Sequence, residues 1–178
     1  PDCETIPCKT FDECFEKANE DASVKAIIPE SNKTTGNIGV EYLIFKYRLN
    51  IFAEHFFSIK HNLLALPGTE KKDIKDVYSH AQALSQSSNF IKKYKFNENV
   101  RADTAGSAKY ISEIKDKSKA AIASKLSAKI YNLEVLESNI QDDLDNVTRF
   151  LVMQKEISQP EFKNEKYITS LLFRLKSK

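Results

Sequence analysis

The chain has 178 residues, 41% of them hydrophobic and 29% charged, with a formal net charge of +2. This is an ordinary soluble globular composition. The near-neutral charge argues against a nucleic-acid partner, which requires a basic face. No apolar run reaches the roughly 18 residues of a transmembrane helix. A chain of this length buries roughly 70% of its unfolded surface, enough for one large domain or two small lobes.

The opening "PDCETIPCKT" has neither a basic stretch nor an apolar one, so it does not read as a secretion signal, and a cytosolic location is expected. Cys3, Cys8 and Cys14 are odd in number and match no common zinc spacing, so they are expected to be reduced structural thiols. The arginines are four: Arg48, Arg101, Arg149 and Arg174. Arginine grips a carboxylate through two parallel N–H groups and lysine does not, so each is a candidate anion ligand.

In chain order, "CETIPC" (3–8) reads as a short strand and "FDECFEKANE" (11–20) as an amphipathic helix capped by Thr10. "VKAIIP" (24–29) is a strand stopped by Pro29, and "GNIGVEYLIFKY" (36–47) looks helical. "LNIFAEHFFSIKHNLLAL" (49–66) is too long for one strand and reads as one or two strands crossing between lobes, before a turn and short helix over 67–75. A regular series follows: strand "DVYSH" and helix "AQALSQSSNFIKKY", strand "NVRAD" and helix "TAGSAKYISEIKDK", strand "AAIAS" and helix "KLSAKIYN", then strands "LEVLESNI" and "TRFLVMQ". Such alternation implies an α/β architecture with substantially parallel strands. Residues 157–166 read as a polar linker, and "YITSLLFRLKSK" (167–178) as one more apolar strand with no partner following it.

Open α/β sheets bind ligands beyond the carboxyl ends of their strands. Three junctions, "ESNKTTGN" (30–37), "SHAQALSQ" (79–86) and "DTAGSA" (103–108), put small hydroxyl and amide residues where a helix is expected to begin. Free N–H groups there form an anion site, and Gly36 and Gly106 would let a ligand approach the backbone. The same residues are also simply good N-caps. Together with Thr148-Arg149, placed before an apolar run where neither a turn nor a strand requires them, they suggest a pocket for a small polar acid. Nucleotide, metalloprotease and serine-hydrolase signatures are absent. His55 and His61 read as packing residues, whereas His80 at a helix start could hydrogen-bond or face an anion.

The blocks "NIQDDLDNVTRFLV", "VYSHAQALSQSSNFI", "HNLLALPGT", "DTAGSAK" and "AAIAS" occur in an order and spacing that resemble prephenate dehydratases, from about Pro7 to Gln154. The resemblance implies a two-lobed α/β fold of the type II periplasmic-binding-protein kind, with the active-site cleft between lobes. It places a dehydratase domain over 1–156, with lobe one about 1–62 plus 142–156 and lobe two about 63–141. It likens 167–178 to the first strand of an ACT regulatory domain. It implies that Thr148 is catalytic, with Ser79, Gln86 and Asn32 as catalytic partners, and that Arg149, Phe150, Thr104, Gly106 and Ser107 contact substrate; His80, from its place at a helix start, is expected to join them. The family's usual Gly-x-x-Gly-x-Tyr-Ser stretch is not found, so the chain is expected to be a piece of a longer product, weakly active or aggregation-prone alone.

The implied reaction converts prephenate to phenylpyruvate, water and carbon dioxide, with no cofactor and no metal. Implied further are L-phenylalanine as allosteric effector of the full-length parent, a homo-oligomer (dimer or tetramer), and no nucleic-acid or membrane partner. Thr148 would donate a hydrogen bond that strengthens as hydroxide leaves. Arg149 would anchor a carboxylate or hold the wall beside it, and Phe150 would supply an apolar surface. Two other readings compete: a non-catalytic small-anion binding module of the same fold, and an inactive fragment of the enzyme.

Overall fold

The computed structural model describes residues 3–156. In chain order the elements are α1 Phe11–Glu20, β1 Ala26–Asn32, β2 Gly36–Asn37, α2 Glu41–Tyr47, β3 Asn50–Ser58 and β4 Asn62–Ala65. After a 3-10 turn at Lys71–Asp73 come β5 Asp76–Ser79, α3 Ala81–Ser85, α4 Ser88–Tyr94, β6 Asn97–Val100 and α5 Thr104–Ile114. The last are β7 Lys119–Ala123, α6 Lys125–Ile130, β8 Glu134–Ser138 and β9 Val147–Gln154. The chain divides into two compact units: one ends at Phe57 and resumes at Val147, and the other is Ser58–Asn146. The expected linker and final strand lie outside the described residues.

The first unit holds a sheet of order β2-β1-β9-β3. β1 runs antiparallel to both β2 and β9. Its core is Phe15, Ala18, Ile28, Val40, Leu43, Leu151 and Met153. Helix α1 has the predicted bounds, and the Thr10 hydroxyl accepts from Glu13 N–H at 3.1 Å. The free thiols lie in this unit, and burial, with Cys8 beside it, pushes the Cys14 thiol up to about 11, so it stays protonated at neutral pH.

The second unit holds a five-stranded sheet of order β6-β5-β7-β4-β8. β5 is parallel to β6 and β7, whereas β4 is antiparallel to β7 and β8. Leu63, Val77, Leu84, Ile91 and Ile122 pack on one face, and Leu64, Ala108, Ile111, Ala121 and Ala128 on the other. With both faces covered, "LLAL" and "AAIA" must be apolar at every position rather than alternating.

Several sequence expectations are corrected here. The strands are mixed, not substantially parallel: β1 is antiparallel to β2 and β9, and β4 to β7 and β8, whereas β5 is parallel to β6 and β7, reached through the crossovers that α3–α4 and α5 supply. Residues 3–8 form no strand; they are almost all exposed, and Pro7 lacks a ladder donor. Pro29 lies inside β1, at a register shift in the pairing with β9 that accommodates its missing N–H. Residues 36–47 are not one helix, because Gly36 and Gly39 take φ of +80°, which an α-helix does not admit. The single helix expected over 81–94 breaks at Gln86-Ser87, where Asp142 bonds the start of α4 through Ser88 Oγ at 3.0 Å and Asn89 N–H at 3.1 Å. His55, expected to pack, is exposed on β3, which among the described residues lies at the edge of its sheet.

Candidate functional site

In the first unit, the pairing of β1 with β9 sets Asn32 opposite Thr148. Asn32 Nδ2 donates to Thr148 Oγ1 at 2.8 Å, and both residues are buried. The turn after β1 aims this amide. Thr34 and Thr35 donate their backbone N–H groups to Asn32 Oδ1 at 3.0 and 3.2 Å, so the carbonyl end is fixed and the NH2 end faces Thr148. Accepting through oxygen leaves the Thr148 hydroxyl able to donate, and makes it a slightly better donor.

Arg149 is the next residue along β9, and its side chain leaves the strand on the opposite face from Thr148. Its Nε donates to Glu54 Oε2 at 2.8 Å, NH2 lies 2.8 Å from the same oxygen, and NH1 lies 3.4 Å from Glu30 Oε2. One guanidinium therefore joins β9 to β3 and β1. Phe150 is half-buried, opposite Pro29.

In the second unit, Gln86 is the C-cap of α3. Its Oε1 accepts from Asn146 Nδ2 at 2.9 Å and lies 2.9 Å from His61 Nε2. His61 N–H donates to Gln141 Oε1 at 3.0 Å. Burial holds the His61 pKa below its ordinary value, opposed by the bond to Gln86, so the ring is neutral at pH 7.

The other expected residues lie in the same unit. Ser79 is fully buried and donates to the Ile122 carbonyl at 2.6 Å. His80 caps α3, its Nδ1 accepting from Gln82 N–H at 3.3 Å. Thr104, Gly106 and Ser107 form the first turn of α5, where Asp103 Oδ1 accepts from Gly106 N–H at 2.5 Å and Ser107 Oγ donates to the Asp103 carbonyl at 2.7 Å. A Cβ on Gly106 would stand 2.7 Å from Asp103 Oδ2, so a larger residue there would make the capping carboxylate shift.

The structure thus joins Asn32 to Thr148, and joins Gln86 to Asn146, which the sequence did not single out, and to His61, which was expected only to pack and is instead a hydrogen-bond partner. It turns the Ser79 hydroxyl into the sheet. The junction at 30–37 is corrected: it is a strand, turn and strand, not a helix start, so Gly36 serves the turn. Glu30 and Glu54 were also missed, because no local spacing links them to Arg149.

These features define a two-unit α/β protein whose polar centres are an amide–hydroxyl pair, an arginine held by two carboxylates, and amides around a neutral imidazole. Comparison with known proteins gives the family: the prephenate dehydratase family model matches residues 1–158, and the chain belongs to that family. It is 41% identical to arogenate dehydratase 2 of Petunia hybrida over 98% of this chain and 44% of that protein. It is 39% identical to the chloroplastic arogenate dehydratase/prephenate dehydratase 1 of Arabidopsis thaliana, over 98% of this chain and 45% of that one. The chain therefore spans less than half the length of these curated relatives. Among solved structures it resembles prephenate dehydratase from Arthrobacter aurescens in complex with L-Phe, with TM-score 0.80 and 28% identity over 89% of this chain and 54% of that one. It also resembles GqqA, described as a quorum-quenching acylase, with TM-score 0.77 and 29% identity over 86% of this chain and 56% of that one. The fold is the periplasmic-binding-protein-like α/β fold expected from the sequence.

Proposed function

We propose that this chain carries the catalytic threonine of a dehydratase that converts prephenate to phenylpyruvate. The C–C bond to the ring carboxylate breaks and releases carbon dioxide, its electron pair enters the ring, and the ring C–O bond breaks to release hydroxide, which takes a proton and leaves as water. Aromatisation supplies the driving force. The observation that carries the reading is the buried Asn32–Thr148 pair, in which an aimed amide supports a threonine hydroxyl that can donate. One preorganised donor to a leaving oxygen contributes about 3–4 kcal/mol.

In this reading Thr148 donates to the departing hydroxyl and Asn32 holds Thr148. Phe150 offers an apolar surface to the carboxylate that is lost. Gln86 donates to an anionic group of the substrate, and Ser79 supports the end of β5. His80, Thr104, Gly106 and Ser107 form the surroundings of the carboxylate that is kept. Arg149 acts by holding β9 against β1 and β3; its bonds to Glu54 and Glu30 support this role over direct grip of a substrate carboxylate.

The names of the relatives favour one second reading, that the substrate is arogenate, which has an amino group where prephenate has a keto group. Turnover of each compound by the protein carrying this chain, followed as release of phenylpyruvate or phenylalanine, tests both. Product from either supports a dehydratase and shows which substrate is used; product from neither rejects it. We further propose L-phenylalanine as an effector of the full-length parent, a reading that the L-Phe complex of the Arthrobacter aurescens prephenate dehydratase supports, and a homo-oligomer, dimer or tetramer, of that full-length protein. Among the described residues no helix is long and apolar enough to cross a membrane. We propose a cytosolic location, against which the chloroplastic Arabidopsis thaliana relative sets a plastid one.

A further inference from the structure

We infer that His61 is a positioning residue that fixes which end of the Gln86 amide faces a ligand. The inference deepens the dehydratase reading and rests on it for the identity of that ligand.

A primary amide has an accepting end and a donating end, and rotation by half a turn exchanges them. Beside an anionic substrate the two orientations differ in sign: the NH2 end attracts the substrate and the oxygen repels it. Gln86 Oε1 has two partners, His61 Nε2 and Asn146 Nδ2, each at 2.9 Å, which match its two lone pairs. The imidazole therefore bears its proton on Nε2. Reversing the Gln86 amide alone would set its NH2 against the NH2 of Asn146 and lose that bond.

The segment that ends β8 and leads to β9 clamps both partners from the backbone. Ile140 N–H donates to the His61 carbonyl at 2.9 Å, and Asp142 N–H donates to the Gln86 carbonyl at 2.7 Å. Gln141 Oε1 accepts from His61 N–H at 3.0 Å. His61 is 6% exposed and Asn146 1% exposed, so water does not compete for the Gln86 oxygen from their side. The carbonyl end is fully engaged, and the amide protons are left for a ligand.

His61→Leu keeps the bulk and removes the donor. His61→Gln returns an N–H near the position of Nε2. With prephenate or arogenate as substrate, His61→Leu should lower kcat about tenfold and His61→Gln should recover most of it. Values for His61→Leu within about twofold of the unsubstituted protein in both kcat and KM would overturn the inference. If His61→Leu does not fold, nitrogen-15 spectra of the unsubstituted chain decide. Expected at neutral pH is a protonated Nε2 and a bare Nδ1, with the Nε2 proton resonance moved by Gln86→Leu; an Nδ1-protonated ring would overturn it. If neither compound is turned over, the dehydratase reading falls, and the spectra still judge the His61–Gln86 bond.

Discussion

Asn32 Nδ2 donates to Thr148 Oγ1 at 2.8 Å between two strands that pair these residues directly, although 116 positions separate them in sequence. The direction of this bond fixes the chemistry available. Threonine accepts from the amide and so keeps its proton to donate. A threonine hydroxyl is too weakly acidic to surrender that proton freely, so its role is a hydrogen bond that tightens as charge develops on a leaving oxygen.

Thr148→Ala should therefore lower turnover by a factor of roughly 10² or more while leaving the fold intact. Thr148→Ser should keep most of the activity, because the hydroxyl stays. Steady-state kinetics beside circular dichroism check both; undiminished turnover in Thr148→Ala would show the assignment to be wrong.

Asn32→Asp separates the two jobs of the amide. An aspartate still accepts from Thr34 and Thr35 N–H, so the turn should persist. It cannot donate to Thr148, and the hydroxyl would then spend its proton on the carboxylate. Expected is a melting temperature near that of the unsubstituted protein with kcat reduced by roughly tenfold or more. Asn32→Ala should lose stability as well, by about 1–3 kcal/mol, since buried groups lose their partners.

Glu54→Gln tests the clamp around Arg149. The charged bond at 2.8 Å becomes a neutral one in a part-buried place. Urea unfolding should show a loss of about 1 kcal/mol after allowance for solvent screening. If Arg149 acts only through β9, Glu54→Gln and Arg149→Lys should both lower kcat while leaving the dissociation constant of a product analogue unchanged. Weaker binding confined to Arg149→Lys would place the guanidinium on the substrate instead.

Stability should depend on pH through His61. Burial puts its folded pKa below the ordinary 6.5, so between that folded value and 6.5 the unfolded chain binds more protons. The stabilisation is complete above pH 6.5 and is lost as pH falls through this window. Urea midpoints at pH 7 and pH 5 should differ less in His61→Gln than in the unsubstituted protein; an equal difference would remove His61 as the cause.

Gly106→Ala should destabilise α5. The added methyl would meet Asp103 Oδ2 at 2.7 Å and push the cap away. The loss should be about 1 kcal/mol, the usual cost of an N-cap, read from thermal or urea unfolding. A neutral result would mean that Asp103 can cap from another rotamer.

Read alone, the amino-acid order determined the features that depend on near neighbours. Thr10 with "FDECFEKANE" specifies α1, Asp103 caps α5, and the apolar runs "LLAL" and "AAIA" locate the buried strands. The family was legible too, in blocks such as "NVTRFLV" that keep their spacing. Strand direction was not, because alternating elements do not reveal where a strand returns, and β1 and β9 meet only after the whole second unit intervenes. The same limit hid the bond of Asn32 to Thr148, the two carboxylates on Arg149, and the hold of His61 and Asn146 on Gln86. Each joins residues far apart in the chain, and only packing decides which polar groups share a buried space and must satisfy one another there.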